Sequence, residues 1–223
     1  MITKYKHIIW DWNGTLLNDV DYCRIIINKI LVENDLPELS LMKYRDIFTF
    51  PVQEYYKAAG LDFKKKSFEV LGKEFIDEYE AKKLTCSLHD SAVDVLSSIY
   101  SIGLGQSVLS AYLHDNLVKI LEHYRLTKYF DNIIGLDNIY AGSKTHLGLM
   151  LIEQLNIPGN EILFVGDTLH DAEVAKAMGV DCILIANGHQ TKAKLKLDFE
   201  NVLDGLKEFQ KYLSITSADG IVK

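Results

Sequence analysis

The chain has 223 residues, 48% of them hydrophobic and 25% charged, with a formal net charge of −7. That is enough apolar residue for a sizeable core. The acidic balance speaks against a nucleic-acid partner, which needs a basic patch or stripe. Lys64-Lys65-Lys66 is the basic run, and it reads as a solvated helix end. Cys23, Cys86 and Cys182 are odd in number, widely spaced and without CxxC patterning, so neither a disulfide framework nor a zinc site follows. The first ten residues contain no signal-peptide core and no apolar run approaches ~20 residues, so the expectation is a reduced, cytoplasmic protein with no membrane partner.

In chain order, His7 to Trp10 is a short apolar run suited to one buried strand, closed by Asp11 and an Asn13-Gly14-Thr15 turn. Helical spacing predicts a helix over Asp19 to Glu33. Ser40 reads as the N-cap of a short helix to Ile47. Pro51 opens another over Val52 to Ala59, closed by Gly60, and a long amphipathic helix follows over Phe63 to Lys83. A strandless stretch from 19 to 85 is too long for one crossover and implies an inserted helical unit. Beyond it the pattern alternates. Helices are predicted over Asp90 to Tyr100, Asp115 to His123, Lys144 to Asn156, Ala172 to Met178 and Phe199 to Leu213. Strands are predicted over Gln106 to Ser110, Asn132 to Gly135, Glu161 to Val165 and Val180 to Ala186, with Ser214 to Lys223 left as a tail. The expected fold is α/β, a Rossmann-like parallel sheet of five or more strands. Residues 1–18 and 86–223 would form this core and residues 19–85 an all-helical insert.

Chemistry gathers at strand ends. Asp11 closes the first strand beside a glycine-containing loop, where open α/β sheets keep their ligand sites. Ser110 closes the second, Lys144 opens a helix, and Gly166-Asp167 closes the most apolar strand with Asp171 one helical turn on. A carboxylate nucleophile, a hydroxyl, a lysine and an acidic pair make up a phosphoryl-transfer set. This order resembles the haloacid dehalogenase-like hydrolase superfamily, whose first motif is DxDGT and last GDxxxD, and within it the phosphoglycolate phosphatase-like group with a helical cap of the C1 type.

The resemblance implies that Asp11 attacks phosphorus, with Gly14, Thr15, Ser110, Ala111 and Lys144 around the phosphoryl oxygens. It implies Mg²⁺ held by Asp11, Asp167, Asp171 and the backbone carbonyl of Asn13. The cap would select the leaving group, with Arg45 a candidate contact. Two positions depart from the pattern: Thr145 stands where the family has Pro, and Asn13 where its phosphatases have the aspartate that protonates the leaving oxygen and then activates water. An amide can do neither, and such assistance is typically worth ~10²–10⁴-fold. His114, His170 and His189 lie near strand ends and are the candidate substitutes, His170 the best placed. The expected activity is Mg²⁺-dependent hydrolysis of a small phosphorylated metabolite by a monomer or homodimer. The alternatives are a phosphate- or metabolite-binding protein on the same fold, or a phosphotransferase or mutase.

Overall fold

The computed structural model describes residues 4–137 and 144–212; the predicted tail lies outside them. The strands are β1 (His7–Trp10), β2 (Leu17–Asn18), β3 (Ser87–Leu88), β4 (Gly105–Leu113), β5 (Asn132–Leu136), β6 (Ile162–Gly166), β7 (Asp181–Ile185) and β8 (Val202–Leu203). The helices are α1 (Val20–Glu33), α2 (Leu41–Ile47), α3 (Val52–Ala58), α4 (Phe68–Lys82), α5 (Ala92–Ser101), α6 (His114–His123), α7 (Thr145–Leu155), α8 (Leu169–Met178), α9 (Lys192–Asp198) and α10 (Leu206–Tyr212). None of the described helices is long and apolar enough to cross a membrane.

Six strands form one parallel sheet in the order β5-β4-β1-β6-β7-β8. Both faces are covered by helices, which is why ILFVG and, after His7, the IIW of β1 are apolar instead of alternating with polar residues. The side chains still divide by strand period. Ile8, Trp10, Leu163, Val165, Ile183 and Ile185 belong to one apolar cluster, and Ile9, Ile162, Phe164, Cys182 and Leu184 to the other. The first cluster runs on without a break into the helical insert through Tyr44, Tyr55 and Leu71.

Register places the site. Trp10 pairs with Val108 on one side and Val165 on the other, so Asp11, Ser110 and Asp167 follow within two residues of one level across β1, β4 and β6. From β1 the chain proceeds to β4 and β5 in one direction, and from β6 to β7 and β8 in the other. The crevice at that reversal is the ligand position of open α/β sheets. Asp11, Ser110 and Asp167 stand there.

The chain leaves the sheet for α1–α4 and returns through a two-strand antiparallel ladder, Leu17 opposite Leu88 and Asn18 opposite Ser87. This ladder escaped the sequence reading because two residues carry no period. Other boundaries moved for local reasons. The helix predicted from Phe63 begins at Phe68 with Ser67 as N-cap, because Asp62 draws the Lys64 N–H to its side chain at 2.9 Å and the Lys65 N–H to its carbonyl at 3.0 Å. The lysine run is therefore a turn. The helix predicted from Ala172 begins at Leu169, fixed by a Thr168–Asp171 capping box. β4 continues past Ser110 to Leu113 through a register shift after Leu109. The helix predicted over Phe199 to Leu213 is corrected: Thr191 caps α9, Val202–Leu203 adds a parallel edge strand to β7, and α10 starts only after Gly205.

His7 is 2% exposed in the middle of the sheet, its Nε2 2.8 Å from Ser107 Oγ. Burial pushes its pKa down to about 4, against the opposing pull of Asp131. Because the unfolded chain takes up a proton near 6.5 and the folded one only near 4, His7 stabilises the fold fully above that range and loses its contribution as pH falls through it. Urea unfolding at pH 7 and pH 4 should show His7→Gln losing about 1–3 kcal/mol less than the native chain on acidification. Equal losses would remove His7 from the acid response.

Candidate active site

Asp11 leaves β1 with its N–H on Val165 O at 2.8 Å, so the sheet itself orients it. The Lys144 ammonium, 2% exposed, pairs with Asp11, lies 2.8 Å from Asp171 Oδ1 and donates to Leu109 O at 3.1 Å. Asp171 divides its oxygens. Oδ1 faces Lys144, and Oδ2 accepts from the Thr168 N–H at 2.9 Å and its hydroxyl at 2.7 Å, so the residue that caps α8 also anchors the lysine. Asp167 accepts from His189 N–H at 2.6 Å and from Thr15 Oγ at 3.2 Å. Its carboxylate is wedged between Gly14 and Gly188, and a Cβ at either position would overlap it. Gly14 also adopts φ +76°, which favours glycine.

Asp11, Asp167 and Asp171 each offer an oxygen within 4.8 Å of the others. Burial pushes Asp11 up to about 6, with Lys144 opposing, and Asp167 up to about 8. Asp171 is held low against its burial by Lys144. The cluster carries more carboxylate than Lys144 can neutralise, and its donors are hard oxygens, which suits a divalent cation such as Mg²⁺. Asp171 is the most heavily engaged, with Lys144 on Oδ1 and the Asp167 N–H, Thr168 N–H and Thr168 hydroxyl on Oδ2, so Asp11 and Asp167 have more capacity left for a metal.

Ser110 accepts the Tyr112 N–H at 3.1 Å, leaving its own O–H to donate, and Ser110 and Ala111 line the cavity above Asp11. Gly14 and Thr15 sit beneath the carboxylates instead. The Gly14 N–H is taken by Leu17 O and Asp19 Oδ1, and Thr15 is fully buried. Arg45 stands apart from this group: its guanidinium binds the carbonyls of Ala186 and Gln190 and docks α2 on the loop after β7. His114 is exposed. His170 lines the cavity, stacked 4.8 Å from Phe50 with Nδ1 toward Glu173.

Sequence reasoning missed a second constellation. The Asn13 amide donates to Asp19 Oδ2 at 2.7 Å and to Tyr79 OH at 2.8 Å, and Tyr79 donates to the same Asp19 oxygen at 2.8 Å. His189 lies between Asp19 (Nε2–Oδ1 3.3 Å) and the Tyr44 hydroxyl (Nδ1–O 2.8 Å). Against burial, His189 and the hydrogen bonds of Asn13 and Tyr79 hold the Asp19 carboxyl low, and Asp19 in turn holds the His189 imidazole up. Asp19 looked like an ordinary acid at a helix start, and nothing in the sequence linked it to residues 79 and 189.

Residues 8–185 match the family model of the haloacid dehalogenase-like hydrolases. The chain is 21% identical to a phosphoglycolate phosphatase of Pseudomonas savastanoi pv. phaseolicola over 82% of this chain and 70% of that one. It is 23% identical to an N-acetylmuramic acid 6-phosphate phosphatase of Pseudomonas aeruginosa over 83% and 84%. The crystal structure of a predicted phosphatase from Clostridium acetobutylicum superposes with a TM-score of 0.79 at 21% identity, covering 94% of this chain and 98% of the other. With the site at the β1/β4/β6 crevice and a family match over most of its length, the chain belongs to the haloacid dehalogenase-like hydrolases, in the neighbourhood of their phosphoglycolate phosphatase-like group.

Proposed function

We propose that the protein is a Mg²⁺-dependent phosphomonoester hydrolase acting on a small phosphorylated metabolite through an aspartyl-phosphate on Asp11. The observation that carries this reading is the buried Lys144, held between Asp11 and Asp171 at the mouth of the crevice. Lys144 fixes the Asp11 carboxylate in position for attack and adds a positive charge where the phosphoryl oxygens arrive. The Ser110 hydroxyl donates to the same oxygens. Asp11 and Asp167, with Asp171 beside them, would hold Mg²⁺, which supplies Lewis-acid neutralisation of the phosphoryl charge.

The helical insert acts as the cap. Tyr44 and Tyr79 reach from it to His189 and Asp19, and Gln190 and Lys194 of the core bind the Phe48 carbonyl at 2.9 Å and 2.8 Å. These contacts hold the insert close over carboxylates that are nearly buried, Asp167 1% and Asp171 3% exposed, and a closed cap of this kind would limit water at the site.

Asn13 sets the rate. Its amide serves as a latch on Asp19 and Tyr79 and supplies no proton to a leaving oxygen. Loss of the ester oxygen and hydrolysis of the acyl-phosphate both go without that assistance, so turnover is slow. The same latch favours a second reading, in which the protein binds phosphate ligands and does not turn them over.

Phosphate release from a phosphomonoester panel with Mg²⁺ tests the proposal. Asp11→Asn should abolish release, and Asn13→Asp should raise it by about 10² or more. Release that persists in Asp11→Asn would sink the nucleophile assignment. An inert native chain with Mg²⁺-dependent phosphate binding would favour the second reading. A carboxylate at position 13 meets Asp19 across the former hydrogen bond, so Asn13→Asp should also unfold about 1–3 kcal/mol more easily at neutral pH in chemical denaturation.

Gly188→Ala pushes the Asp167 carboxylate out of its cleft. Mg²⁺ affinity by calorimetry should fall about 10–100-fold with the fold retained by circular dichroism. Unchanged affinity would place the metal away from Asp167.

A further inference from the structure

The cavity above Asp11 does not end at the phosphate position. It runs into the helical insert between Phe48, Phe50, Tyr55, Phe68, Phe75 and Tyr112. These walls are built of rings in contact with one another: Phe48 lies 5.2 Å from Tyr55 and 5.7 Å from Phe50, and Tyr79 5.9 Å from Tyr112. Aromatic walls of this kind favour a flat, apolar body packed face or edge on.

The charge of the lining decides what that body can carry. Among the described residues, Lys144 is the one lysine or arginine in the lining, and it belongs to the phosphate end. Two cations close by are already used: Arg45 on backbone carbonyls, and Lys83 on Glu80 with the Tyr112 hydroxyl at 2.9 Å. His189 faces Asp19. The remaining charged groups of the wall are acids, Glu80 among them. A carboxylate on the leaving group would lose its water here without gaining a counter-charge, which disfavours its binding. Neutral polar groups fare differently. The Tyr55 hydroxyl, on a side chain 2% exposed, has no hydrogen-bond partner, and neither has His170 Nε2; both residues line the cavity. Each is a group that a ligand can satisfy.

Resting on the phosphatase reading, we propose that the substrate is the phosphomonoester of an uncharged, ring-bearing alcohol or phenol with a neutral hydrogen-bonding group, and not a carboxylate-bearing phosphate such as phosphoglycolate. In the net reaction water adds across the P–O ester bond. The phosphoryl group leaves as inorganic phosphate carrying the water oxygen, and the leaving oxygen takes up one of the water protons to become the free alcohol or phenol.

Calorimetric titration of the full chain with benzylphosphonate and with phosphonoacetate, both with Mg²⁺, tests this without requiring turnover. The native chain should bind benzylphosphonate at least about tenfold more tightly. Ile76→Arg, which places a cation in the cavity wall, should narrow or invert that ratio. Equal affinities, or a preference for phosphonoacetate, in a chain that still binds in a Mg²⁺-dependent way would overturn this inference and leave the phosphatase reading standing. An unchanged ratio in a folded Ile76→Arg chain would also overturn it, since the wall would then not meet the leaving group. Binding of neither phosphonate would overturn both.

Discussion

An ammonium group removed from water must be surrounded by compensating charge, and Lys144 meets that requirement with two carboxylates and a carbonyl. The requirement is mutual. Without the lysine, Asp11 and Asp171 would be like charges buried together, and burial would drive both toward the neutral acid. One interaction therefore permits three acidic side chains to crowd a crevice between apolar strands. It also couples distant parts of the chain: Asp171 holds the first turn of α8 while holding the lysine from the start of α7, and both bear on the residue that ends β1. Replacing Lys144 would disturb the α8 capping box, the Asp11 carboxylate and the charge balance together.

The helical insert is bound to this centre by polar contacts at its edge. Asp19, at the first residue past the β2 ladder, collects Asn13, Gly14, Tyr79 and His189 on one carboxylate. Position 13 is thus where the loop after β1 meets the helical insert, and an amide there joins them where an acid would repel Asp19. The amide at position 13 ties that loop to α4 and to the start of α1 through Tyr79 and Asp19, and it has no acidic proton to give.

Much of this was legible in the sequence, for reasons that differ by element. β1 and β6 were legible because a strand covered on both faces reads as a near-continuous apolar run, as IIW and ILFV do. Asp11, Ser110, Lys144, Asp167 and Asp171 were legible because a parallel sheet puts chemistry where strands end, so that order along the chain becomes proximity in space. The two-residue strands β2, β3 and β8 were not, since pairing partners fix them and no local pattern does. The β8–α10 stretch was misread as one helix because the apolar spacing from Phe199 fits a helix until Asn201 and Gly205 are weighed, and the short α9 before it went unassigned. The Asp19–Tyr79–His189 cluster was invisible for a deeper reason: its members are 60 and 110 residues or more apart on the cap and core, and each alone resembles a common surface or core residue. Arg45 looked like a substrate contact by composition, and its role as a backbone clamp needed the loop after β7 in place.

The central claim is that Asp11 is a working nucleophile and that Asn13, which leaves both steps unassisted, slows hydrolysis of the acyl-phosphate more than its formation. The most direct measurement is mass spectrometry of the chain quenched in acid after brief exposure to a phosphomonoester with Mg²⁺. The account predicts a single phosphoryl group that maps to Asp11, abundant in the native chain and depleted in Asn13→Asp, where water can be activated. Phosphate release with no phosphoryl group on Asp11 in either chain, or one mapped to another residue, would contradict it.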